Sequence, residues 1–230
     1  MRYNLVLIPW ELLDTVKVPI SGEILTLNKR GHEYVIKVDG SVLMDSRLHA
    51  SEDALAELAI RKISSVRKPC VLVGGLGMGH TLAAALKVLG PEAKVEVSEI
   101  MPAVVEWNRG PLSHLAGHPL IDPRVAVLME DIAKVLKTHP SAYDAVLQDV
   151  DNGPEGLTLA ANAWLYSEAG IKTAMSSLRP RGVLALWSAK PNKEFVRNLR
   201  KWGYSVEEVA ARGRTLHRGP HYVVWLVSLG

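Results

Sequence analysis

Four glycines and four acids carry the chemistry this sequence can be read for. Gly74, Gly75, Gly77 and Gly79 fall within six positions of "VLVGGLGMGHTLAAAL", where an apolar run meets a helical pattern. Glycines at such a turn admit positive φ and let the backbone approach a ligand closely. The spacing G-x-G-x-G is tighter than the G-x-G-x-x-G that cradles a pyrophosphate, and no Lys-Ser or Lys-Thr follows as a P-loop requires. It suits a ligand without phosphate, an adenosine whose sulfonium arm crosses the turn. Glu99 ends the next apolar run, "VEVSEI", about twenty residues after the last glycine. An acid placed there accepts hydrogen bonds from both ribose hydroxyls, and one that ends an apolar strand is costly without partners. Asp131 ends "VAVLMEDI", placed for an exocyclic adenine amine or as the N-cap of the helix that follows. Asp149 and Asp151 end "YDAVLQDVDNGPEG", where the reacting centre would lie.

For these residues to meet they must share one rim. From residue 70 onward, near-continuous apolar strands alternate with amphipathic helices: "CVLVGG", "AKVEVSEI", "RVAVLM", "YDAVLQDV" and "GVLALWSA" as strands, with helical stretches between. That pattern predicts an α/β domain whose mostly parallel sheet is covered on both faces. Its ligands bind beyond the carboxyl ends of the strands. The closing pair "YSVEEVAA" and "HYVVWLVSL" reads as an antiparallel addition at the edge. Residues 3–45 hold four β-rich runs, "LVLIP", "GEILTLN", "HEYVIKV" and "SVLMD", with turns at "KRGH" and Asp39-Gly40. We expect a small N-terminal antiparallel β-domain over residues 1–50 and the nucleoside-binding domain over residues 51–230. Ser51 is the expected cap of the helix that links them.

The bulk properties narrow the function classes. The 230 residues, 48% hydrophobic and 22% charged, describe a globular chain with an ample core rather than a fibre or a disordered tail. One cysteine, Cys70, excludes an intrachain disulfide framework, and no apolar run is long enough for a spanning helix. The start of the chain shows no signal-peptide pattern, so a cytoplasmic protein is expected. The net charge of +3 is mild. Basic residues thicken in "RNLRKW" and "ARGRTLHRGPH", which read as a solvated face and a loop, or as contacts to an anionic partner. No base-stacking motif accompanies them, so neither nucleic acid nor membrane is the expected partner. His114 and His118 lack the further ligands of a zinc site, and no metal is expected.

With these residues placed, the chain resembles the spermidine synthase family of aminopropyltransferases, within the class I S-adenosylmethionine-dependent methyltransferase group. "GGLGMG" is similar to the family's "GGGDGG", and "SEIMPAVVEWNR" to its "VEID" segment and following helix. "DPRVAVLMEDIAKVL" is similar to "DPRV…GDG", "YDAVLQDVDNGP" to "YDVIIVDSSDPxGP", and "LRPRGVLALWS" to the "LKPGG" turn. The resemblance implies a Rossmann-like sheet and a co-substrate that is S-adenosylmethionine or its decarboxylated form. Glu99 would then hold the ribose and Asp131 the adenine. Asp149 would fall at the catalytic aspartate, which helps deprotonate the attacking amine. It also implies a homodimer.

The departures are as informative. The family's glycine-turn aspartate, which faces an aminopropyl ammonium, falls on Gly77, so a methionine carboxylate is no longer repelled there. The acceptor segment "DEFxYHE" is matched by "SRLHASE" (46–52), with Ala50 and Ser51 replacing Tyr and His. Asp45, Arg47, His49 and Glu52 lie in the slightly longer stretch "MDSRLHASE". They form either an acceptor site, with His49 and Glu52 binding substrate beside Asp151, or a solvated linker. The reading is a transferase moving an alkyl, by resemblance aminopropyl, group to a small amine. The alternatives are a methyltransferase with another acceptor and a nucleoside-binding protein without turnover.

Overall fold

In the computed structural model the described residues are 8–19, 22–150, 153–154, 160–212 and 221–230. The chain divides into two compact units, Met1–Leu48 and His49–Gly230.

The smaller unit is a four-stranded antiparallel meander in the order β1 (Glu11–Lys17), β2 (Ile24–Arg30), β3 (Glu33–Val38), β4 (Ser41–Asp45). The β3–β4 hairpin turns on Asp39 and Gly40, both at positive φ, which matches the twist of two-residue hairpins. Alternation sets the buried face: Leu25 and Leu27 on β2 meet Val38 and Ile36 on β3. Among the described residues the first strand is "ELLDTVK", and most of the expected strand "LVLIP" lies outside the described residues. Among the described residues it is an edge strand that pairs only with β2, through a register shift between Leu12 and Asp14. An edge strand with most of its residues exposed has no need of the apolar alternation by which strands are recognised.

The larger unit opens with α1 (Ala50–Lys62). Its N-cap is His49 without a side-chain cap bond, so Ser51 is not the cap expected. Ser51 lies buried in the first turn, its hydroxyl on the Glu52 carboxylate. Then follow β5 (Cys70–Gly74), α2 (His80–Val88), β6 (Lys94–Ser98), α3 (Pro102–Arg109), β7 (Val125–Leu128), α4 (Ile132–Thr138) and β8 (Tyr143–Gln148). The chain closes with α5 (Glu168–Ser177), β9 (Leu178–Ser188), α6 (Lys193–Lys201), β10 (Tyr204–Arg212) and β11 (His221–Leu229).

The seven strands order as β10-β11-β9-β8-β5-β6-β7. Strands β5 to β9 pair in parallel, and β11 runs antiparallel between β10 and β9, so the antiparallel pairing expected near the edge is present one strand in. All six residues of β8 are buried, as a central strand covered on both faces requires. The order reverses at β5, from which β6 departs to one side and β8 to the other, and ligands of such sheets bind at that crevice. Among the described residues no helix is long and apolar enough to cross a membrane.

Candidate active site

The glycine turn is held from both sides. Gly75 has φ 88°, and a Cβ on it would stand 2.4 Å from the Asp149 carbonyl oxygen, so only glycine fits where the turn passes beneath β8. Its N–H donates to Ser98 O at 2.9 Å, and Asp149 N–H donates to Gly74 O at 2.9 Å, which ties the ends of three strands together. Gly79, at φ 84°, is the N-cap of α2. The turn's other anchor is Asn108 on α3, buried at 2% exposure, whose Nδ2 donates to Gly77 O at 2.8 Å and to Val104 O at 2.9 Å. Asn108 is invisible in sequence, where "EWNRG" reads as the polar end of a helix.

Glu99 follows β6 and is 8% exposed. Its Oε2 accepts from Leu76 N–H at 3.0 Å and its Oε1 from Met101 N–H at 2.8 Å. Burial raises its pKa, and these backbone donors oppose the shift. Backbone donors at Ile100 and Gly77 add to this, so the carboxylate is fixed by the glycine turn and the start of α3. Across the rim, Ser98 Oγ donates to Glu130 O at 2.6 Å. Asp131 is exposed and caps α4, its Oδ1 accepting from Ala133 N–H at 2.7 Å. The capping role weighed from sequence is therefore occupied, by one oxygen of two.

The other side of the rim brings carboxyls together. Asp149 Oδ2 accepts from Thr81 Oγ1 at 2.6 Å. Burial pushes the Asp149 carboxyl well above the usual range, against the pull of Thr81. Glu52, in the first turn of α1, is raised by burial and then by the neighbouring Asp149 charge. A carboxyl raised by the charge of a neighbouring carboxyl favours a shared proton or a bound cation. Above them the rings of His49 and His80 stack with centroids 4.4 Å apart and planes 15° apart. His49 Nδ1 meets Asp53 Oδ2 at 3.0 Å, which raises its pKa. Burial lowers His80 to about 4, so its imidazole is neutral at physiological pH. His80 Nε2 and Trp187 Nε1 are buried without hydrogen-bond partners. Neighbouring carboxyls at the end of β8 and the start of α1, one raising the other, favour a positively charged guest.

Of the residues singled out in sequence, the fold brings Gly74, Gly75, Gly77, Gly79, Glu99, Asp131 and Asp149 to one rim, and α1 adds Glu52 and His49 from the same unit. Asp151 lies outside the described residues, as does most of "ARGRTLHRGPH". Arg47 and Asp45 belong to the meander, where Arg47 pairs with Asp45 at 2.6 Å and Glu33 at 3.2 Å. Thr81 carried no sequence signal, because its partner is 68 residues away. Among the described residues no cluster of three or more metal-ligating side chains forms.

Comparison with known proteins shows the family and the fold. A family model described as the spermine/spermidine synthase domain matches residues 49–215. A polyamine aminopropyltransferase of Mycobacterium tuberculosis is 27% identical over 191 residues, 79% of this chain and 35% of that protein. Polyamine aminopropyltransferase 2 of Pseudomonas aeruginosa is 29% identical over 190 residues, 77% of this chain and 51% of that protein. The chain thus spans between a third and about half the length of these curated relatives. Among solved structures, spermidine synthase from Thermotoga maritima superposes with a TM-score of 0.76 at 18% identity, over 95% of this chain and 73% of that one. A spermidine synthase in complex with the transition-state analogue AdoDATO gives 0.74 at 17%, over 95% and 72%. These structures share the fold: a class I methyltransferase-like sheet with a small antiparallel β-unit before it.

Proposed function

Because the chain belongs to the spermine/spermidine synthase family, we propose that it is an aminopropyltransferase acting on a small amine. The observation that carries the proposal is the half-buried pair Asp149 and Glu52 at the same rim as the backbone-fixed carboxylate of Glu99. The glycine turn and Glu99 fit a nucleoside: Gly75, Gly77 and Gly79 let backbone approach the ligand, and Glu99 is a backbone-fixed carboxylate at the strand end where a ribose would lie. Asp131 takes the adenine amine with the oxygen its helix cap leaves unused. Decarboxylated S-adenosylmethionine, when bound, supplies a sulfonium-activated carbon.

The chain's residues then act on the acceptor. An alkylammonium ion is not a nucleophile, so it must lose a proton to a carboxylate within hydrogen-bond reach. Asp149 is the assigned base. Its raised proton affinity brings it nearer the working pH, where general bases are most effective. Thr81 fixes the orientation of that carboxylate. Glu52 holds the acceptor's positive charge, and His49, oriented by Asp53, completes the acceptor side. Asp151 is assigned there by its place in the family motif. Holding two reactants in line supplies most of the acceleration.

One observation favours a second reading. Gly77 presents no acid toward the ligand's arm, so the site has no charge at the turn that rejects a methionine carboxylate, and methyl transfer from S-adenosylmethionine remains the competing activity. Calorimetric titration with both co-substrates and methylthioadenosine separates the two. Decarboxylated S-adenosylmethionine binding at least tenfold tighter, about 1.4 kcal/mol, supports aminopropyl transfer. Equal or tighter binding of S-adenosylmethionine supports methyl transfer. Binding without turnover on any amine supports a nucleoside-binding protein.

A further inference from the structure

Gln148 closes β8 with 1% of its surface exposed, and neither its amide oxygen nor its amide nitrogen has a hydrogen-bond partner. Strand alternation sends its side chain to the face of the sheet opposite Asp149. Its register partners are Gly74 on β5 and Leu186 on β9. Gly74 contributes no side chain to that face. Ile132 Cδ1 reaches in instead, 2.0 Å from where a Cβ on Gly74 would be. Ile132 directly follows Asp131, and Val150, two residues on from Gln148, packs against the same apolar cluster. Gln148 therefore stands at the carboxyl rim on the Asp131–Ile132 side, apart from the carboxyl pair.

A bare amide in such a place is expensive, since a valine or leucine would pack there with no polar group to desolvate. Buried polar groups in native proteins are almost always paired, and an exception signals a missing water or ligand. The amide offers an acceptor and a donor side by side. Adenine offers the complement, an exocyclic amine that donates beside a ring nitrogen that accepts. Asp131 supplies only half of that match, because a carboxylate accepts and cannot donate to a ring nitrogen.

Building on the nucleoside reading above, we propose that Gln148 is a specificity-determining residue that reads the adenine edge, its amide nitrogen donating to a ring nitrogen and its amide oxygen accepting from the exocyclic amine. The ring-nitrogen contact is the part that Asp131 cannot reproduce, and it defines the test.

The experiment is calorimetric titration of the full chain with the 5′-methylthio derivatives of adenosine, 1-deazaadenosine and 7-deazaadenosine. The wild-type protein should bind the adenosine compound about tenfold more tightly than one of the two deaza compounds. Gln148→Met, which keeps the side-chain length without the amide, should erase that ratio, whereas Asp131→Ala should weaken all three compounds and preserve it. Gln148→Leu gives the same readout if the methionine variant does not fold. A ratio that survives in either variant overturns the inference, as does a wild-type protein indifferent to the ring nitrogens. An unchanged ratio with a higher melting temperature would assign the amide to a buried water. Failure of methylthioadenosine to bind at all would instead remove the nucleoside reading, and this inference with it.

Discussion

Glu99 and Asp149 follow the two strands that flank β5, yet the fold treats them in opposite ways. Glu99 has each oxygen met by a backbone N–H, from Leu76 and Met101, in elements that cannot move without disturbing the glycine turn. Asp149 has one hydroxyl partner, Thr81, and a second carboxyl, Glu52, as a neighbour. The first arrangement fixes a charge, as the proposed ribose contact requires. The second leaves a carboxyl with raised proton affinity, as the proposed proton transfer requires. Under the proposed function, that contrast separates the residue that would hold the ligand from the one that would react with it.

The largest effect that can break this contrast is expected from Asp149→Asn. Single-turnover rates should fall by roughly 10²–10⁴, while methylthioadenosine affinity measured by calorimetry stays nearly unchanged. Parallel losses would make Asp149 a binding residue like Glu99. Glu99→Ala should behave inversely, weakening nucleoside binding by about 2–3 kcal/mol, equivalent to roughly a hundredfold in Kd. It should also lower stability, because the N–H groups of Leu76 and Met101 lose their acceptor.

The pH dependence sharpens the contrast further. Asp149 is pushed up to about 6 and Glu52 to about 7 from ordinary carboxylate values. The folded state therefore binds more protons than the unfolded chain between about pH 4 and 7, and this contribution to stability falls as pH rises through that window. His80 works in the opposite direction, since its lowered pKa adds stability as pH rises from about 4 toward 6.5. Urea unfolding of the ligand-free protein should show Glu52→Gln gaining on wild type by on the order of 1 kcal/mol between pH 5 and 8. A constant difference across that range would mean that neither burial nor the Asp149 charge raises Glu52. Activity should rise over the same interval as the base ionises. The smallest effect is expected from Asp131→Ala, about 1 kcal/mol of helix capping with a modest loss of nucleoside affinity. Unchanged affinity would leave Asp131 with the cap alone.

Much of this organisation is legible in the linear chain because it is local. Apolar runs broken by amphipathic periods specify the alternating strands and helices, and Asp39-Gly40 specifies a hairpin. Gly75 and Gly79 sit where φ must be positive, and Glu99, Asp131 and Asp149 end strands whose carboxyl ends form the rim of any parallel sheet. The first edge strand was not legible, because an exposed strand with one neighbour has no periodic requirement. Nor was the Ser51 cap, displaced when α1 began at Ala50 and left Ser51 buried against Glu52.

What only the tertiary structure decided is which side of the sheet each strand end faces and how dry that side is. Gln148 and Asp149 are adjacent in sequence, but the two-residue period of a strand sends one toward Ile132 and the other toward Thr81. Asn108 reaches the carbonyl of Gly77 across 31 positions, and Thr81 reaches Asp149 across 68. The chain itself determined which residues arrive at the rim. Their proton affinities and unpaired atoms depend on desolvation and on neighbours distant in sequence, so they arise only when the elements pack.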